Sequence, residues 1–403
     1  MVTPRTIVIV GASLAGLRAA ETLRREGYDD RVVLVGAEQH LPYDRPPLSK
    51  ELLAGEWEPD QIALRKQPYD DLGLDLQLGR RATGLDVSGR VVELDGGERL
   101  PFDGIVVATG ARPRTLPGTP ALEGIFVLRT LDDCLTIRSR LEARPRVVVI
   151  GAGFIGSEVA ATCRGRGLDV TVLEMLPTPL ARAVGPIVGD ACGRLHRDHG
   201  VDVRCGVTVA GFEGGDRVER VALADGSAID ADLVIVGVGV TPETAWLEGS
   251  GLALDDGVVC DATCFAAPGV VAAGDVARWP NPLFDGESMR VEHWTNATEQ
   301  GVAAARRLLV DDPADAEAFE PVPFVWSDQY DVKIQVVGSI RGDDEVAVAD
   351  GSFDEDRFVA LFGRGGRLVG ALGFSRPRVV MQYRRMIAER ASWEDALATT
   401  AGG

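Results

Sequence analysis

The sequence predicts an α/β protein with two open, parallel sheets of one kind and a smaller α+β domain at its C-terminal end. Three observations predict it. One pattern, an apolar strand running into a glycine-rich turn that opens a helix, occurs twice, at Thr6–Gly16 and again at Arg146–Gly156. Each copy is later followed by a buried-strand run ending in glycine, Gly104–Gly110 and Asp232–Gly239. From about Glu320 the pattern changes to alternating strands separated by turn residues, which reads as an antiparallel sheet. At 403 residues and 45% apolar side chains the chain can bury two or three cores.

In the first copy Thr6–Val10 meets Gly11-Ala-Ser-Leu-Ala-Gly16, a helix follows over Leu17–Glu26 and a second strand over Val32–Val35. In the second copy Arg146–Ile150 meets Gly151-Ala-Gly-Phe-Ile-Gly156, with a helix over Ser157–Arg166 and a strand over Val170–Leu173. Each second strand leads to an acid, Glu38 and Glu174, at the interval expected for a carboxylate on an adenosine ribose. Gly269–Asp275 is a further apolar strand closed by an aspartate, and the polar run Val291–Gly301 opens a helix. The terminal sheet is expected over Trp326–Gly338, Glu345–Ala349, Arg357–Phe362 and Leu368–Gly373, with a tight turn at Arg364-Gly-Gly-Arg367 and a helix over Val379–Ala391.

Two complete units of strand, turn, helix, strand and acid point to two dinucleotide sites. The glycines let the backbone approach a pyrophosphate, whose charge then sits at the amide-rich helix N-terminus. Ser13 replaces the second glycine in the first copy; it is small enough for the turn to survive, with less room for close approach than at Gly153. Glu174 selects the nicotinamide cofactor, because its carboxylate accepts the two ribose hydroxyls and repels a 2′-phosphate. Met175 and Leu176 after it offer no arginine, so NADH is expected over NADPH.

The formal net charge of −19 argues against a general nucleic-acid or anionic-membrane surface. The first strand begins too early for a signal peptide, and no apolar run approaches a membrane span, so a soluble, cytoplasmic protein is expected. Six scattered cysteines (Cys134, Cys163, Cys192, Cys205, Cys260, Cys264) have neither C-x-x-C nor zinc-like spacing, so no disulfide framework and no metal are expected.

The chain resembles, over almost its whole length, the FAD-containing, NADH-dependent ferredoxin reductases that serve bacterial oxygenases. The resemblance rests on Tyr43-Asp-Arg-Pro-Pro-Leu-Ser-Lys50, Ala108-Thr-Gly-Ala-Arg-Pro113, Leu128-Arg-Thr-Leu-Asp132 and Gly151-Ala-Gly-Phe-Ile-Gly-Ser-Glu158. It extends to Ala273-Gly-Asp275, Val291-Glu-His-Trp-Thr-Asn-Ala297 and Trp326-Ser-Asp-Gln-Tyr-Asp331. It implies two Rossmann-like dinucleotide-binding domains in a glutathione-reductase-like arrangement plus the C-terminal α+β domain. The implied boundaries are a discontinuous FAD domain, 1–112 and 240–319, interrupted by an NAD domain, 113–239, and followed by a C-terminal domain, 320–403.

The resemblance places Gly11, Ser13, Ala15, Gly16 and Glu38 on the ADP half of FAD, and Arg45, Lys50, Ala82, Arg129, Asp275 and Trp294 on the rest. It adds Ala108, Thr109, Gly110, Gly274, Glu292 and His293, and for the second dinucleotide Gly151, Gly153, Phe154, Ile155, Gly156, Glu158, Glu174, Gly237, Val238 and Gly239. Arg129 can offer charge-assisted hydrogen bonds to a pyrophosphate, and Asp275 can accept from ribityl hydroxyls, the alternative for Asp275 being a solvated strand-end turn. Only three lysines stand beside 39 arginines, so Lys50 is singled out. The resemblance implies a Lys50–Glu158 ion pair where hydride arrives; the plainer reading of Lys50 is a phosphate neutraliser. Trp326 is implied to pack on the flavin, against the plain alternative of a core tryptophan, and Cys163 reads as packing.

Three functions compete. An NADH-dependent disulfide or peroxide reductase needs a redox cysteine that the segment His40–Gly55 does not contain. An NADH-sensing protein of the apoptosis-inducing-factor type would bring a targeting segment or basic nucleic-acid surface of which nothing here is a likeness. The preferred reading is transfer of electrons from NADH through FAD to a [2Fe–2S] ferredoxin feeding a cytochrome P450 or a Rieske dioxygenase. Between Arg364 and Arg390 seven arginines face one acid, Glu389. The ferredoxin is expected to dock on Arg384 and Arg385 together with Arg306 or Arg307, the alternative being a solvated face paired with the acids at 343–345 and 354–356.

Overall fold

The computed structural model describes residues 5–400. The chain forms two compact units, one of the residues up to Asp44 with Ala63–Arg112 and Thr241–Pro323, the other of Arg45–Ile62, Pro113–Val240 and the chain from Phe324 onward.

In the first unit a six-stranded sheet has the order Phe265–Ala267, Val270–Ala272, Gly104–Val107, Thr6–Val10, Arg31–Gly36, Leu74–Leu78. All neighbours are parallel except the outermost pair, Phe265–Ala267 with Val270–Ala272. The central strands are buried on both faces, which is why they read as unbroken runs of valine and isoleucine. Helices Leu14–Arg25 and Trp294–Leu309 cross closely at Gly301, where a Cβ would lie 2.5 Å from the Ala15 carbonyl oxygen.

In the second unit a five-stranded parallel sheet runs Asp202–Cys205, Val170–Glu174, Val147–Ile150, Leu233–Val236, Ile125–Phe126. The same unit carries a five-stranded antiparallel sheet in the order Phe324–Gln329, Val332–Gly338, Arg367–Phe374, Phe358–Arg364, Glu345–Gly351. Gly365 and Gly366 both take positive φ in the hairpin turn that joins Arg364 to Arg367, as a two-residue turn of this hand requires. Helix Pro377–Ala388 packs Val380, Tyr383 and Ile387 inward.

The expected α/β class with two dinucleotide-type sheets and a terminal antiparallel sheet is the architecture observed. Both glycine-turn helices begin one turn earlier than expected, at Leu14 and Phe154, because Ser13 and Gly153 are their N-cap residues and the last glycine of each motif lies inside the first turn. The run Trp326–Gly338 is two strands broken at Tyr330-Asp331. The last expected helix stops at Ala388 and a second, Trp393–Thr400, follows; Trp393 fills the space left by Gly363, where a Cβ would be 2.6 Å from the indole.

Candidate dinucleotide sites and a buried charge pair

In the first unit Gly11 has φ +125, and a Cβ there would stand 2.0 Å from the Ala108 carbonyl oxygen. Gly16 is equally constrained, its Cβ position lying 1.9 Å from the Gly11 oxygen. These glycines let the strand-to-helix turn nest against the end of the neighbouring strand and aim the first amides of helix Leu14–Arg25 outward. Ser13 adopts φ −127, extended backbone that any residue takes, so the turn accommodates serine. Glu38, just past strand Arg31–Gly36, accepts a 2.5 Å hydrogen bond from the Tyr43 hydroxyl. Ala82 is half-buried against the core of this unit, and Thr109 donates to the Glu243 carbonyl at 2.9 Å beside Ala108 and Gly110.

Gly274, with φ +77, lies against Ala15, and its amide donates to Gln300 at 2.9 Å. Asp275 follows it in a single helical turn. Helix Trp294–Leu309 begins nearby in sequence, with the Trp294 indole donating to Asp44 at 2.7 Å and Glu292 accepting from Arg290 at 2.6 Å. Nδ1 of His293 is buried although the residue keeps some exposure, and desolvation pushes its pKa down to about 4. A neutral imidazole therefore stands at this helix start.

The second unit repeats the turn. Gly151 has φ +98 with its Cβ position 2.3 Å from the Gly237 oxygen, and that of Gly156 is 2.0 Å from the Gly151 oxygen. Gly153 differs: a Cβ there meets nothing within 4 Å, so its bareness serves no packing in the chain and leaves room for a phosphate at the helix start. Gly239, with φ +96, is likewise open. Phe154 is half-buried, whereas Ile155 and Met175 are exposed apolar side chains near this turn. Each oxygen of Glu174 accepts one main-chain N–H, Ala152 at 2.8 Å and Leu176 at 2.8 Å, which fixes the carboxylate against the glycine turn with lone pairs to spare.

Helix Phe154–Gly165 also carries Glu158, which is only 3% exposed. Lys50 Nζ stands 3.1 Å from Glu158 Oε1, Ser327 donates to the same oxygen at 2.8 Å, and Ser49 donates to Oε2 at 2.5 Å. Burial pushes the Glu158 carboxyl up from its ordinary pKa, and Lys50 and the two hydroxyls pull it back. Arg45 donates to the Arg129 carbonyl at 2.5 Å, and Thr130 with Asp133 forms a capping box that starts helix Leu131–Leu141 immediately after Arg129. Ser49 and Ser327, which complete the carboxylate's environment, were not singled out from sequence, although each lies inside a quoted motif.

Trp326 is half-buried on the terminal sheet, its ring 5.9 Å from that of Phe324, and the Arg384 guanidinium lies over Phe324 at 5.6 Å. Arg385 is 80% exposed and paired with Glu389. The proposed basic dock needs correcting in part. Arg307 is buried, bonded to Thr263 and stacked over Phe265, so it is no surface residue, and Arg306 pairs with Glu26. Arg364 is tied bidentately to Asp344, as the alternative reading expects, and Arg376 pairs with Asp350, an acid outside the two clusters named there, so part of the arginine run is neutralised.

All six cysteines are free thiols. Burial pushes Cys134, Cys163, Cys192 and Cys260 up to about 12, and Cys134 donates to the Leu48 carbonyl. A thiol so far from ionising is a poor nucleophile. No helix among the described residues is long and apolar enough to cross a membrane.

Residues 5–301 match the pyridine nucleotide-disulphide oxidoreductase family, and residues 324–401 match the reductase C-terminal family. The chain belongs to the pyridine nucleotide-disulphide oxidoreductases. It is 37% identical to the ferredoxin reductase component of chlorobenzene dioxygenase from Cupriavidus sp. (strain PS12), over 97% of this chain and 94% of that one. It is 36% identical to putidaredoxin reductase of Pseudomonas putida over 97% of this chain and 93% of that one. Among solved structures, the covalent putidaredoxin reductase–putidaredoxin complex aligns with a TM-score of 0.92 and 33% identity, covering 99% of both chains.

Proposed function

We propose that this chain is an FAD-dependent reductase that draws electrons from NADH and delivers them to a [2Fe–2S] ferredoxin serving an oxygenase. The observation that carries this reading is the full-length likeness to such reductases, including the C-terminal segment and a structure of putidaredoxin reductase in covalent complex with putidaredoxin. Bound FAD supplies a group that takes two electrons at once and gives them up singly. Residues 1–112 and 240–319 would hold it, with 113–239 for NADH and 320–403 facing the ferredoxin.

The chain's own residues have separate tasks. The amides after Gly11 bind one pyrophosphate and those after Gly153 another, and Glu38 and Glu174 accept ribose hydroxyls. The open face at Gly153 and the tight first turns fit dinucleotides. Asp275 accepts from ribityl hydroxyls, and the start of helix Trp294–Leu309 offers amides to the flavin's pyrimidine edge. Lys50 and Glu158 neutralise one another where the nicotinamide is oriented, and Trp326 excludes water there. Arg384 and Arg385 steer an acidic ferredoxin by long-range attraction.

The competing disulfide chemistry is opposed by the buried, un-ionised thiols. Anaerobic NADH should bleach the flavin while the count of thiols reactive under denaturing conditions stays at six, the number of cysteines present. Under native conditions only half-buried Cys205 should react quickly. A gain of two thiols on purified protein after NADH treatment would overturn the proposal in favour of a disulfide reductase.

A further inference from the structure

The motif Trp326-Ser-Asp-Gln-Tyr-Asp331 holds more than its tryptophan. Along strand Phe324–Gln329 alternate residues face opposite sides, and Ser327 and Gln329 are both fully buried on the side away from Trp326 and Asp328. The Gln329 amide donates to Ser327 Oγ at 3.1 Å, and Ser327 donates onward to Glu158 at 2.8 Å. At the other end Tyr330 Oη is 2.9 Å from Nδ1 of His196, a residue 1% exposed on helix Ala181–Asp198.

Nε2 of His196 and Oε1 of Gln329 are buried with no hydrogen-bond partner among the described residues, so the pair Tyr330–His196 is not joined to Gln329 by a hydrogen bond. Burial and the neighbouring His199 push the His196 pKa down to about 4, so the ring is neutral. With its proton on Nε2 it accepts from Tyr330 at Nδ1. On the strand two bonds point the same way, Gln329 to Ser327 and Ser327 to Glu158. Bonds in such a chain polarise one another and favour negative charge at its end.

The turn bears the cost of this arrangement. Tyr330 sits at φ +57 in the two-residue connection between Gln329 and Val332, a conformation that a bulky residue adopts rarely. Its ring is stacked on His199 at 3.7 Å and 8°. A glycine would suit the turn better, and only the tyrosine reaches His196.

We propose that Ser327 and Gln329 form a positioning network that keeps the Glu158 carboxylate ionised and oriented on Lys50. This rests on the reading above that places Lys50 and Glu158 at the hydride step. The titratable groups set against Glu158 are Lys50 from the segment before the short helix Glu51–Ala54; those set against His196 are His199 of its own helix and Tyr330 of the hairpin.

The test uses the flavin-loaded protein as wild type, Ser327→Ala, Ser327→Thr, Gln329→Leu and Lys50→Gln, each checked for flavin content. The static readout is the infrared band of protonated Glu158, assigned by its loss in Glu158→Gln and followed as pH is lowered. Losing one hydroxyl donor to a carboxylate should raise the midpoint by about one pH unit in Ser327→Ala, and Ser327→Thr should restore it. Gln329→Leu should raise it less, because Ser327 still donates. In rapid mixing with NADH, flavin reduction in Ser327→Ala should slow about tenfold, with NADH affinity within about twofold of wild type. Unchanged midpoints and rates in Ser327→Ala and Gln329→Leu, with Lys50→Gln slow, would overturn the network alone. Wild-type rates in Lys50→Gln would remove the pair from the hydride step, and both readings with it.

Discussion

The two glycine-rich turns are built alike at their ends and differently in the middle. Gly11 and Gly151 both have positive φ and both would drive a Cβ into a carbonyl oxygen of a neighbouring strand end, Ala108 in one case and Gly237 in the other. Gly16 and Gly156 both press on the first glycine of their own turn. The middle position is Ser13 in one and Gly153 in the other, and neither needs a glycine conformation. The outer glycines are thus demanded by the fold, whereas the middle position is not. The acids are held differently in one respect: Glu38 accepts from the Tyr43 hydroxyl, while Glu174 accepts from the Ala152 amide of its glycine turn and from the Leu176 amide.

Alanine at the glycines separates the two kinds of position and carries the largest expected effects. Gly11→Ala and Gly151→Ala combine backbone strain with a backbone clash and should each cost at least about 2 kcal/mol, with Gly11→Ala also losing flavin on purification. Gly153→Ala should leave the melting temperature within about 1 °C while weakening NADH roughly tenfold. Thermal melts and the flavin-to-protein absorbance ratio decide this; a stable, yellow Gly11→Ala would refute the packing argument.

A smaller effect is expected at the second acid. Glu174→Ala with Met175→Arg removes the repelling carboxylate and adds a phosphate partner, and should narrow the preference for NADH over NADPH by about tenfold or more. Because Glu174 also binds Ala152 and Leu176, the single change Glu174→Gln should retain the turn and lose only part of the preference. Wild type that already uses both cofactors equally would contradict the role given to this acid. The smallest effect is expected for Ser13→Gly, which should alter flavin affinity by less than about threefold.

Those turns were also the most legible part of the sequence, since strand, glycine spacing and acid are local signals. The Lys50–Glu158 pair could be anticipated only through a family likeness, because nothing local joins residue 50 to residue 158. Helix Leu131–Leu141 went unmarked although Thr130-Leu-Asp-Asp133 carries its capping box. Helix Ala181–Asp198 is interrupted at Gly185, with φ +74, and Pro186, which hides its period. The small sheets at Ala82–Pro101 and Val209–Asp230 have strands too short and too exposed to show alternation. The Ser327–Glu158 contact gives no sequence signal, since its members meet only through the packing of strand Phe324–Gln329 against helix Phe154–Gly165. Arg307 was misjudged because basic side chains are usually exposed; here its stem and guanidinium cover Phe265.

Whether electrons leave this protein for a ferredoxin is decided by NADH-driven reduction of a panel of [2Fe–2S] ferredoxins beside ferricyanide, using wild type and an Arg384→Glu, Arg385→Glu variant at low and high salt. At least one ferredoxin should be reduced at a rate comparable to ferricyanide. The variant should lose several-fold with the ferredoxin at low salt, the loss shrinking as ionic strength rises, and almost nothing with ferricyanide. Rapid ferricyanide reduction with no transfer to any ferredoxin in the panel, at any salt, would contradict the account.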